Sequence, residues 1–320
     1  MRSAALILLL LCNSALGAYQ PRQLYIINWG AGPDRFQIRP YEEFWNQDSS
    51  EAEIHTGGGP SKVFIDEAGN ALIYSYEFRQ FKLFDSAGQL LLDKSQFEGL
   101  ADIGEPEDFF IDTLNQIYLV TVPETNFVSI YDYEGKVVDK IYPYDESPAR
   151  ICRMYWDVSA ELFFNAIGDT GYMAYYDRQF RPIAIACMRA TDGYLYAVDY
   201  DEIFPYSIKF IKYLAPERQE APVSIDSFFV EILGDTLYDP FLITGGQGTL
   251  LYVSISRNGV DHEIIYIFDL KLDLVDEIHL APSTDNYGLG MSPFVDRQGQ
   301  IYEFLFREDG LHVVKWTKQQ

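Results

Sequence analysis

The chain repeats itself. "VFIDEAGNALIYS" begins at Val63, "FFIDTLNQIYLVT" at Phe109, "MYWDVSAELFFNA" at Met154, "FLITGGQGTLLYV" at Phe241 and "PFVDRQGQIYEFL" at Pro293. The residue that closes the first apolar run is Asp66, Asp112, Asp157, Thr244 and Asp296, with the first three 46 and 45 residues apart. A second landmark follows at Asp85, Asp132, Asp177 and Asp269, spaced by 47, 45 and 92 residues, the last being two periods with one landmark missing. A fixed period of this length fixes the fold class before any local reading does.

Within a copy, a short apolar run is followed by a tight turn rich in Gly, Asn or Asp, and then by an alternating strand. A loop, a strand ending in Asp, another turn and a last strand such as "QLLLDK" complete the unit. Such a four-stranded antiparallel meander cannot bury both faces alone, whereas copies packed face to face around an axis can. The expectation is an all-β, six-bladed β-propeller, one domain over 18–320. Its blades fall near 61–98, 107–145, 150–188, 189–239, 240–281 and 293–317. The abundant aromatic residues, 24 Tyr and 22 Phe, suit the wedges between twisted sheets. The last blade runs out after three strands, while "QLYIINW" (23–29) has no blade of its own. It is predicted to supply the fourth strand and close the ring, hiding the edge.

The copy from Pro60 to Asn70, "PSKVFIDEAGN", followed by "FKLFDSAG" from Phe81 to Gly88, resembles an NHL repeat. The second copy keeps Pro106, Asp112, Asp132 and Gly135 but has Leu114 and Asn115 at the turn, and Ser75 stands where the family has an acidic residue. The resemblance implies a six-bladed NHL-like fold. It implies no single activity, because that family spans protein-binding, RNA-binding and catalytic members.

Residues 1–17 read as a secretory signal, with Arg2, an apolar run from Ala4 to Leu11 and a small-residue ending at Ala15 and Gly17. A secreted or periplasmic location is expected, with no transmembrane helix. Loss of Arg2 would take the net charge from −24 to −25, which repels phosphate backbones and excludes nucleic acid as partner. Cys152 and Cys187 would survive cleavage, either bridged or as two buried thiols. A monomer is expected.

The repeated Asp suggests calcium but is read as a turn cap, since an Asp before a tight turn accepts hydrogen bonds from the turn's own amides. Four residues before it, at the start of each inner strand, stand Lys62, Asp108, Arg153, Pro240 and Ser292. This ring varies from copy to copy, as a site that grips an asymmetric partner must. The loops between second and third strands open on the same face and bring Arg79, Asn126, Asp169, Arg257 and His262. Lys62, Asp108, Arg153, Arg79, Asn126 and His262 are therefore the ligand-binding candidates. The four carboxylates Asp102, Glu105, Glu107 and Asp108 match no EF-hand spacing, and the four histidines show no HExxH pair. No nucleophile elbow or phosphate loop is present.

The expectation is non-catalytic binding of a protein, peptide or carbohydrate on the rim of the central channel, with no cofactor. The alternative is a metal-assisted hydrolase or lactonase, which needs three or more Glu, Asp, Asn or His side chains converging on the axis. A part in an envelope assembly would instead show an exposed apolar patch on the outer strands.

Overall fold

The computed structural model describes residues 19–38, 42–45, 52–55, 59–100, 104–112, 114, 116–123, 127–141, 150–156, 162–167, 172–176, 179–183, 188–198, 207–214, 223–231, 237–243, 246–257, 263–281 and 291–318. Six four-stranded sheets and one two-stranded ribbon, Glu42–Trp45 with Ala52–His55, are found among them. Every named strand pair is antiparallel. The all-β class and the four-stranded blades are as expected.

Five sheets are consecutive meanders, at 62–93, 104–141, 150–183, 188–231 and 237–279; they are here the first to fifth blades. The sixth joins both ends of the chain. Phe294–Val295, Ile301–Arg307 and Gly310–Lys318 are completed by Tyr19–Asn28, whose register runs from Tyr19 opposite Lys318 to Asn28 opposite Gly310. The N-terminal strand thus takes the outer place that the sequence left empty.

Four of the junctions between blades are separate apolar layers. Leu72, Phe81, Leu83, Phe109 and Leu119 join the first blade to the second, and Ile27, Ile73, Phe84, Phe304 and Val313 join the sixth to the first. Val253, Phe268, Tyr196 and Phe210 join the fifth to the fourth, and Ile265, Ile301 and Trp316 the fifth to the sixth. The inner strand of the third blade, Arg150–Trp156, lies beside Gly104–Ile111 of the second. Among the described residues each apolar cluster spans two blades, so burial of a blade depends on its neighbours.

The turns explain the repeated Asp. Asp66 Oδ1 accepts from the Asn70 amide at 2.8 Å and Oδ2 from the Asn70 side chain at 2.7 Å. Asp112 accepts from the amides of Leu114 and Gln116, and Asp296 from those of Gln298 and Gln300. The second landmark repeats the device at Asp85, Asp132 and Asp269. The structural reading of these residues holds wherever the turn is described; Asp157, Asp177 and Thr244 lie outside the described residues. In the later turn the fourth residue is Gly88 or Gly135 in the first two blades, at φ 80° and 79°, but Leu272 at φ 67° in the fifth.

A segment missed by the repeat analysis straps two blades together. Trp29 donates through Nε1 to the Arg307 carbonyl at 2.6 Å and stacks on Phe306, while Phe36 is fully buried in the layer between the sixth and first blades. The buried Lys82 ammonium donates to the carbonyl oxygens of Arg35 and Gly32. Burial pulls its pKa down, against the opposing fields of Asp93 and Asp34.

Candidate functional site

The starts of the first two inner strands are joined by charge. Lys62 opens Lys62–Ile65, and its ammonium pairs with Asp108, which is only 1% exposed while Lys62 is 35% exposed. A register shift between Pro106 and Asp108 interrupts the Gly104–Ile111 ladder just there. Such an irregularity re-aims a strand side chain, and here the carboxylate is turned to the neighbouring blade. Asp108 also accepts from the Phe109 amide at 2.8 Å, and the Lys62 ammonium stands 5.6 Å from the Phe109 ring centre. Lys62 and Asp108, proposed from sequence as independent rim residues, are therefore one ion pair bridging two blades.

Below this pair lies a floor of rings. Phe64, two residues along the strand from Lys62, meets Phe294 of the sixth blade at 5.0 Å and Phe110 of the second at 6.1 Å, both edge to face. Tyr118 stacks on Phe110 at 4.5 Å. All three phenylalanines stand two residues before the turn Asp, and the same offset gives Tyr155 and Leu242 in other copies. That recurrence is a signal in the sequence itself, less conspicuous than the polar landmarks because an apolar residue at a strand position reads as ordinary core. The arrangement is a charge-balanced polar layer above an aromatic one, which suits a ligand presenting both hydrogen-bonding groups and an apolar face.

The loop at 76–79 opens at the same end. Ser61 Oγ accepts from the Tyr76 amide at 3.3 Å, which places the loop beside the residue preceding Lys62. Tyr76 is 69% exposed, and Arg79 is exposed with φ 51°, a left-handed conformation that costs a non-glycine residue about 1 kcal/mol. Arg153 lies on its inner strand opposite Asn165, with its side chain outside the description. Asn126 and His262 lie outside the described residues, as do Asp102, Asp169 and Cys187. The structure thus brings Lys62 and Asp108 together and sets Arg79 at the same end. Among the described residues no three His, Cys, Asp or Glu side chains gather where they could hold a metal ion.

A second buried carboxylate escaped notice. Glu303, 5% exposed between the fifth and sixth blades, accepts from the Ala281 amide at 2.6 Å and from Trp316 Nε1 at 3.0 Å. Burial pushes its carboxyl above the ordinary value, the two hydrogen bonds pulling back only in part. No sequence signal marked it, since it sits at a strand position that is apolar in the first blade, Ile73.

Comparison with solved structures places the architecture. A gluconolactonase from Xanthomonas campestris matches 95% of this chain and 91% of its own at 9% identity, with a TM-score of 0.52. The fold is a β-propeller. A virginiamycin B lyase from Staphylococcus aureus matches 94% and 99% at 11% identity and TM-score 0.48, and a member of the DUF4221 family from Bacteroides vulgatus matches 94% and 99% at 9% and 0.46. No family model and no curated protein matches the sequence. No helix among the described residues is long and apolar enough to cross a membrane.

Proposed function

We propose that the six sheets form one ring closed by the N-terminal strand, and that this ring is an exported, non-catalytic binding propeller. The described contacts set the blades in the order fourth, fifth, sixth, first, second, third. A ring follows when the third and fourth, consecutive in the chain, pack in the same way. The NHL-like repeats near Pro60 and Pro106 support this count.

The ligand is a protein, peptide or glycan taken at the end where the inner strands begin. One observation carries this reading: the half-exposed Lys62, held by buried Asp108, opens the strand on which Phe64, two residues on, meets Phe110 and Phe294. Arg79, and by their sequence positions Arg153, Asn126 and His262, would extend the rim. The test is a screen of immobilised glycans and peptides with the purified protein, repeated with Lys62→Glu. A hit that Lys62→Glu, or the milder Lys62→Met, retains at full strength would place the binding face elsewhere.

The competing reading is a metal-assisted hydrolase or lactonase built around Asp108. It requires at least one further ligand from beyond the described residues. Elemental analysis decides it: a stoichiometric divalent ion that also raises the melting temperature would displace the binding reading. Export is tested by N-terminal sequencing of the secreted product, which should begin at Ala18.

A further inference from the structure

Among the outer strands of the six blades, Val223–Glu231 of the fourth is unlike the rest. The others are four to six residues long, Leu90–Asp93, Val137–Ile141, Gln179–Ile183 and Leu274–His279, or carry Pro21 and Arg22, as Tyr19–Asn28 does. Short length, proline and basic residues are the usual guards of a sheet edge. Val223–Glu231 has nine residues and contains no Pro, Lys, Arg or His.

One guard it does share. In the second, fourth and fifth blades the outer strand shifts register at Val138, Ile225 and Val275. The Asp that follows each, Asp139, Asp226 or Asp276, accepts the amide of the next residue. In the second and fifth blades only two and three strand residues remain beyond that Asp. In the fourth, five remain, "SFFVE" from Ser227 to Glu231, with Phe229 52% exposed.

The geometry points to this run as a self-pairing edge, whose occupant is a second copy of this chain related by a two-fold axis at Phe229. The sequence is complementary to its own reverse. Antiparallel pairing about Phe229 sets ring against ring at the centre, Phe228 opposite Val230 on the other face, and Ser227 opposite Glu231. Aromatic and aromatic–β-branched cross-strand pairs favour such a ladder, and no two like charges stand directly opposite. Five residues a side bury far less than the ~1,200 Å² of a stable interface, so the dimer is weak. The net charge of −24 opposes it further and makes it depend on salt.

The test is sedimentation velocity on the full mature chain from roughly 5 μM to 0.5 mM, a span that brackets a weak Kd, in about 0.1 M and about 1 M salt, where the screening length falls from ~10 Å to ~3 Å. The average mass should rise towards double with concentration, and more so at high salt. Phe229→Glu, which faces Lys209 across its own strand pair but sets two carboxylates together at the axis, should stay monomeric with a little-changed melting temperature, and Ser227→Glu, which would stand opposite Glu231 of the second copy, should do the same. Phe229→Cys should cross-link to itself under mild oxidation, beyond any background from the unsubstituted chain, while Ser224→Cys should not. A monomer under all conditions, a dimer that survives Phe229→Glu, or equal cross-linking at both positions would each overturn the proposal. Binding of an unrelated extended peptide at this edge without self-association would overturn it as well.

Discussion

Replacing Gly310 by Ala tests the seat of the N-terminal strand directly. Gly310 closes the Ile301–Arg307 to Gly310–Lys318 hairpin and stands opposite Asn28. A Cβ there would lie 2.5 Å from the Ile27 carbonyl oxygen and 2.7 Å from Ile26 Cγ2. Ordinary contact begins near 3.4 Å, so the strand must retreat by 3.4 − 2.5 = 0.9 Å. That displacement loosens the last two register pairs, Asn28 with Gly310 and Ile27 with Leu311, and the Trp29 bond to the Arg307 carbonyl behind them. At about 1 kcal/mol for each of three hydrogen bonds the loss is about 3 kcal/mol. The entropy that Gly→Ala removes from the unfolded chain returns ~0.4–1. A net destabilisation of about 2 kcal/mol should appear as a lower urea midpoint, with faster exchange of the Ile27 and Asn28 amides. Gly193→Ala is the control: its φ of 86° strains any side chain, but nothing lies within 4 Å of the new methyl, so only ~1 kcal/mol is expected. An unchanged or raised midpoint for Gly310→Ala would show that the strand is not seated as described and would remove the basis for ring closure.

Three further outcomes follow from buried polar groups and one turn. Tyr133 of the second blade donates through its hydroxyl to Asp66 of the first, so Tyr133→Phe should cost about 1 kcal/mol and Asp66→Ala ~2–3; a double-mutant cycle without coupling would show the tie contributes nothing. The raised carboxyl of Glu303 binds its proton more tightly in the folded than in the unfolded state. Its contribution to stability therefore falls as pH rises from 4.5 upward. Glu303→Gln should accordingly gain on the wild type between pH 4.5 and 7 in urea titrations, although at the acid end it is the weaker, since one of two N–H donors then faces an amide NH2. At Leu272, φ 67° disfavours every side chain, and Leu272 also packs against the layer between the fourth and fifth blades. Leu272→Gly should therefore be more stable than Leu272→Ala by about 1 kcal/mol in thermal melts, an order that reverses if strain is absent.

What the sequence discloses is whatever recurs. Asp66, Asp112 and Asp296 repeat because each blade needs the same turn, and the strand "QLYIINW" stood out because the last repeat lacked one. Features made by two blades leave no periodic trace. Lys62 and Asp108 lie 46 residues apart at the same place in adjoining copies, which sets them on one rim, but nothing in the chain says that they close on each other as an ion pair. The register shift before Asp108 that turns its carboxylate inward is likewise set by the ladder rather than by residue type. The aromatic floor was legible in principle, since Phe64, Phe110 and Phe294 share one offset from their Asp. The strap at 29–38 was not, because its only period is that of a single loop and its partners, Lys82 and Arg307, come from two different blades.

Tyr19 and Lys318 stand side by side, so the two ends of the described chain leave the molecule at one corner. Joining them spans 318 − 19 = 299 residues, and the entropy of closing so long a loop exceeds that of a four-residue hairpin by about 4 kcal/mol. Force applied at the termini would open this pair one rung at a time, as a zipper does, instead of shearing all its rungs together. The pair that joins the two ends of the chain would thus yield more readily to a pull on its tails than to heat or denaturant, which must strip whole layers.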